Sequence, residues 1–203
     1  MRIQFRITSL LLVLVLASCS GRGGSRIKPP ALSPAAAAEQ AMATYDTNKD
    51  GFLDAKELEK CPALLAALDD LDKNKDKKLS ASEIEAELAD MRDSRAGIVS
   101  ITCVVEMDGR PLMDATVRFV PEAFLGSSYK PAQGVSLEDG SVPLRTEGYD
   151  VDGVPPGFFR IEVSKKDASG QEAVPARYNS ATTLGAMIST EMRTGVRLRL
   201  TSR

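Results

Sequence analysis

Two twelve-residue stretches, 46–57 and 72–83, constrain this chain more than any other part of it. Each sets oxygen-bearing side chains at positions 1, 3, 5 and 9 and a glutamate at position 12. In the first these are Asp46, Asn48, Asp50, Asp54 and Glu57; in the second, Asp72, Asn74, Asp76, Ser80 and Glu83. That spacing wraps a short segment around one hard cation. Positions 1, 3 and 5 give side-chain oxygens, and position 7 (Phe52, Lys78) gives its carbonyl. Position 9 acts through water, and the closing glutamate gives two oxygens. The cofactor implied is Ca2+. A lone Asp-x-Asn-x-Asp run is common in solvated loops. Two in tandem, each with leucine at position 8 (Leu53, Leu79), are not explained by a helical hairpin with a charged surface.

The flanks agree independently of the ligands. Ala38, Ala41, Met42 and Tyr45 precede the first loop at helical spacing, and Leu64, Ala67, Leu68 and Leu71 precede the second. Each set is one apolar stripe. The exiting helices start at Leu58 and at Ile84, the second running on through Leu88 and Met91. Ser33 and Pro34 predict the start of the first helix, as cap and first-turn residue. Pro62 must end the first exiting helix near Lys60 or Cys61 and open the second entering helix.

From Ser33 to Arg95 the chain resembles the EF-hand family, specifically the compact, short-linker pairs of secreted bacterial proteins. The loops start 26 residues apart. The resemblance implies two calcium sites, of unequal strength. Position 6, where the family carries glycine for its positive φ, is Gly51 in the first loop but Lys77 in the second. A side chain there costs on the order of 1 kcal/mol. Lys75, Lys77 and Lys78 also bring positive charge to the second loop, so the second site is expected to be the weaker.

The N-terminus speaks to compartment. Arg2 and Arg6 precede the apolar run 10–17, and small residues follow it. This is an export signal, too short to span a bilayer as a mature helix. Residues 16–19, Leu-Ala-Ser-Cys, resemble the lipobox of bacterial lipoproteins. That resemblance implies cleavage after residue 18 and a lipid on Cys19, hence anchoring to a cell-envelope membrane, with Ser20 favouring the outer one. Residues 19–32, rich in Gly, Pro, Ser and Arg, are expected to form a flexible tether. Cys61 and Cys103 read as small buried hydrophobes, each in its own domain, rather than as a disulfide.

Between 46 and 95 there are 14 acidic against 9 basic side chains. From Gly97 the period changes from helical to alternating, which puts a domain boundary at 94–97. Val99, Ile101, Cys103 and Val105 alternate with polar residues, as do Ala115, Val117 and Phe119. Val135 and Leu137 lead into a Glu-Asp-Gly turn, followed by Val142 and Leu144. Phe159, Ile161 and Val163, and finally Val196, Leu198 and Leu200, complete the set. Short half-buried strands with turns between them predict an antiparallel β-sandwich, large enough at about 107 residues to bury a core alone. Residues 108–122, then 139–140, 153–163, 175–178 and 183–184, resemble bacterial carboxypeptidase regulatory-like domains over about 97–202. This implies a transthyretin-like (prealbumin-type) sandwich. The fold class is thus α+β, multidomain: signal 1–18, tether 19–32, EF-hand pair 33–95, sandwich 97–203.

Chemistry narrows further by exclusion. The chain has no histidine, which removes Ser/His/Asp and Cys/His pairs and zinc–histidine sites. No glycine-rich phosphate loop follows a strand. A net charge of −2 with scattered arginines gives no basic face for nucleic acid. The absence of Trp weakens sugar stacking. The reading is a non-enzymatic, lipid-anchored, calcium-binding envelope protein with an unidentified protein or glycan partner. Alternatives are an accessory subunit of an envelope export or hydrolase complex, and a carbohydrate-binding sandwich.

Overall fold

The computed structural model describes residues 27–192 and 195–203. The export run and Cys19 lie outside the described residues. Among those described, no helix is long and apolar enough to cross a membrane.

The first half is helical, interrupted by two very short strands: α1 (Pro34–Tyr45), β1 (Phe52–Leu53), α2 (Ala55–Leu58), α3 (Pro62–Ala66), α4 (Leu68–Leu71), β2 (Leu79–Ser80) and α5 (Ala81–Asp93). Pro34 opens α1 as expected, but the Ser33 side chain makes no capping hydrogen bond. Capping is instead strong where the loops end. Asp54 caps α2 and Ser80 caps α5, each in a reciprocal box with the glutamate three residues on, Glu57 or Glu83. The ninth and twelfth loop positions therefore also start the exiting helices.

The second entering helix is not continuous. It breaks at Ala67 (φ −98°, ψ 0°), whose amide is shared among preceding carbonyls at 3.2 Å. The two pieces have different neighbours: α3 lies on strands of the second half, α4 on α5.

The second half carries β3 (Cys103–Met107), β4 (Arg110–Pro111), β5 (Thr116–Pro121), β6 (Ala132–Val135), β7 (Arg145–Thr146), β8 (Gly157–Ser164), β9 (Leu184–Ile188) and β10 (Val196–Leu200). A five-stranded antiparallel sheet has the order β7-β6-β5-β8-β9; a three-stranded sheet has the order β10-β3-β4. The strands are not all antiparallel, because β10 runs parallel to β3, Val196 opposite Cys103. Val99 makes only an isolated bridge to Val154, and Val142 and Leu144 are buried without joining a strand. Val135 and Leu137 turn outward, 51% and 54% exposed. The register explains this: Val135 pairs with the outward Thr116, which brings Ser136 inward, where its hydroxyl bonds the Leu112 carbonyl at 2.5 Å and accepts from the Ala115 amide at 2.8 Å.

The expectation of two separate cores is not met. The buried apolar residues of helices and sheets form one cluster. The reason lies in β8, which is buried on both faces at its start. Phe159 faces Phe119 (ring centroids 6.2 Å apart), while Phe158 faces Phe124 on the other side (5.8 Å). Along the neighbouring strand, a Cβ added at Gly185 would lie 2.2 Å from the Pro62 carbonyl. The start of α3 thus rests on the bare backbone of β9, an approach only glycine allows.

Residues 27–32 also depart from a free tether. The Ser128 hydroxyl donates to the Ala31 carbonyl at 2.6 Å and the Tyr149 hydroxyl to that of Lys28 at 3.3 Å.

Candidate metal centre

The structure brings the two loops together. Leu53 pairs with Leu79 and Phe52 with Ser80 across the β1–β2 ladder, and both leucines are fully buried. The shared position-8 leucine is therefore the seam of the pair. Phe52 and Lys78, the seventh positions, stand at and just before these strands.

Within each loop the side chains fold back on the backbone in the same pattern. In the first, Asp46 Oδ2 accepts from the Gly51 amide (3.0 Å), Asn48 Oδ1 from Asp50 (2.8 Å) and Asp50 Oδ1 from Phe52 (2.9 Å). In the second, Asp72 Oδ2 accepts from Lys77 (2.8 Å), Asn74 Oδ1 from Asp76 (2.9 Å) and Asp76 Oδ1 from Lys78 (2.9 Å). These bonds turn the backbone around a common centre and need left-handed residues to do so. Gly51 has φ 85°, and Lys77 is held at φ 64°, the strained position the sequence singles out. Lys49 and Lys75, at the fourth positions, are left-handed as well (60° and 63°), which the spacing did not announce.

The closing glutamates grip the loops from within. Glu57 accepts from the amides of Thr47 (2.8 Å), Asn48 (3.2 Å) and Asp54 (3.2 Å) and from the Thr47 hydroxyl (3.0 Å). Burial would push its carboxyl up, but these donors outweigh burial and hold it below the usual carboxylate range. Glu83 accepts from the amides of Lys73 (3.1 Å) and Ser80 (2.9 Å) and from the Ser80 hydroxyl (2.7 Å). Among the described residues, no three acidic, cysteine or histidine side chains converge as a ready metal group.

One atom separates the loops. Asp46 Oδ1 is buried and has no hydrogen-bond partner, whereas Asp72 Oδ1 accepts from Lys75 (2.7 Å) and Asp76 (3.2 Å). A buried carboxylate oxygen without a donor costs free energy that a cation would recover. The oxygen-only donor set of the first loop therefore fits Ca2+.

The Lys78 side chain does not serve its own loop. Its ammonium lies 3.1 Å from Asp50 Oδ2 in the first loop and 5.4 Å from the centre of the Phe52 ring. The hydrogen bond from Lys78 is the leading cause holding the Asp50 carboxyl below its usual range.

A second feature was invisible in the sequence. Tyr45, immediately before Asp46, is buried where the halves meet, alongside Cys61 and Glu122. Burial pushes the Cys61 thiol up to about 12, with Glu122 adding to the effect, and pushes Cys103 to about 12 as well. Both cysteines are free and buried, as expected of small hydrophobes, but Cys61 belongs to the junction rather than to one domain. Burial also raises Glu122, one oxygen of which lacks a partner.

A protein-family model described as EF hand matches residues 39–62, the span from within α1 through the first loop to the start of α3. No curated protein and no solved structure matches the chain. The match supports calcium binding by the first loop.

Proposed function

We propose that the chain is a calcium-binding protein of the bacterial cell envelope, non-enzymatic and held to a membrane by a lipid on Cys19. The observation that carries the calcium reading is Asp46 Oδ1, a buried, unpartnered oxygen at the first position of a loop with the expected turn geometry. Asp46, Asn48, Asp50, the Phe52 carbonyl and Glu57 would hold one ion, with Asp54 acting through water; Asp72, Asn74, Asp76, the Lys78 carbonyl, Ser80 and Glu83 are their counterparts. The ion supplies a fixed double positive charge that neutralises clustered carboxylates. Because α1 and α3 share a core with the sheets, calcium acts here as a stabiliser of the whole fold. The sheet half, a transthyretin-like sandwich in this reading, presents the binding surface.

Calorimetric titration of the full chain in detergent tests this. Uptake at about 10⁻⁴ to 10⁻³ M is expected for an extracellular module. At 1 mM calcium, a constant of 10⁻⁴ M adds about 1.4 kcal/mol to stability. No heat and no shift in the unfolding midpoint would refute it. Loss of processing and membrane retention in Cys19→Ala checks the anchor.

One observation supports a glycan partner. Arg145, Gln133, Arg118 and Glu162 stand side by side across four strands of the larger sheet. With Tyr149 the first three border a groove of about 410 Å³. Planar polar groups in a row suit sugar hydroxyls. Binding of envelope glycans that Arg118→Ala abolishes would support this; its absence would favour the accessory-subunit reading.

A further inference from the structure

Lys78 holds a place in both loops. Its main chain occupies position 7 of the second loop, and its side chain crosses the β1–β2 ladder to the first. There the ammonium takes Asp50 Oδ2, the oxygen that the Phe52 amide leaves free on a position-5 ligand. The Phe52 ring lies under it, adding cation–π attraction. Sequence distance assigns this lysine to the second loop; the ladder assigns its charge to the first.

We propose that Lys78 is a resident competitor for the first calcium site: its ammonium occupies Asp50, and calcium enters by displacing it. This rests on the calcium reading above and adds a regulation to it. In the metal-free chain, Lys78 neutralises one of the three acids, Asp46, Asp50 and Glu57, that otherwise repel one another. On binding, the ammonium must leave the carboxylate or face a divalent ion at close range. The first loop, although unstrained at Gly51, is thereby weakened, and the two loops are linked through one residue. Both partners are 38% exposed, so solvent and salt screen the competition and limit it to a modest factor.

The test is calcium calorimetry on the full chain in detergent, with Glu83→Gln silencing the second loop. Adding Lys78→Gln should tighten the remaining site about three- to tenfold at low salt, and the gain should shrink at high salt. Lys78→Arg, which keeps the charge, should bind as the unmodified lysine does. An unchanged or weaker site in Lys78→Gln, or equal tightening in Lys78→Arg, overturns the proposal while the calcium reading stands. If the Glu83→Gln chain does not fold, the same comparison is read from the first-loop phase of the otherwise unaltered chain, identified by its loss in Glu57→Gln. A chain that takes up no calcium at all overturns both.

Discussion

The two loops share a ligand pattern and a backbone path, yet they are not equivalent. The first turns on Gly51, leaves one oxygen of Asp46 without a donor, and follows Tyr45 into the junction with the sheets. The second turns on a strained Lys77, satisfies both oxygens of Asp72 internally, and follows Leu71, on α4, which packs against α5. A loop that folds perfectly onto itself has less to gain from a cation. The first loop is therefore the better-formed site, and Tyr45 joins it directly to the junction with the sheets.

The largest expected effect comes from removing the closing ligand of the first loop. Glu57→Gln should abolish the first-loop calorimetric phase, moving it beyond the roughly 10⁻³ M limit of such modules. If Glu83→Gln removed the tighter phase instead, the ranking of the loops would be reversed.

Next in size is Gly185→Ala, which attacks the seam rather than a loop. The methyl group meets the Pro62 backbone at 2.2 Å, and overpacking of this kind costs about 3 kcal/mol. Chemical denaturation should show the loss in a single transition. Two separate transitions in the unmodified chain would show that the halves unfold independently and that the seam is superficial.

A smaller gain is expected from Lys77→Gly. Relief of a left-handed lysine is worth about 1 kcal/mol, seen as tighter second-loop binding with the first loop unchanged. No gain would mean that internal satisfaction of Asp72, not strain, weakens that site.

The subtlest prediction concerns pH at the junction beside the first loop. Burial raises the Glu122 carboxyl above its ordinary 4.5, so the folded chain holds that proton longer than the unfolded one. Its contribution is fully present below pH 4.5 and is lost as pH rises through the raised value. Glu122→Gln should flatten that decline in unfolding midpoint; an unchanged slope would place the ionisation elsewhere.

Much of the helical half was legible because its signals are local. Ligand spacing, the stripes ending at Tyr45 and Leu71, and the proline at 62 all act within a few residues of the structure they produce. The strands around Val117, Phe119, Ile161 and Val163 were legible for the same reason, since alternation is a property of a single segment. Val135 and Leu137 misled, because which face of a strand is buried depends on register with a partner. The parallel pairing of β10 with β3 was hidden too, as it joins residues nearly a hundred positions apart.

The sequence by itself determined that two oxygen-lined turns would form, that Gly51 and Lys77 would differ in strain, and that alternating strands would follow the helices. These follow from backbone sterics and from the period of apolar side chains. Only the tertiary structure decided that α3 would rest on β9 at Gly185, that Tyr45, Cys61 and Glu122 would share one buried junction, and that Lys78 would reach the other loop's aspartate. Each of these depends on the distance between elements, and packing sets that distance when the apolar faces of both halves are buried together.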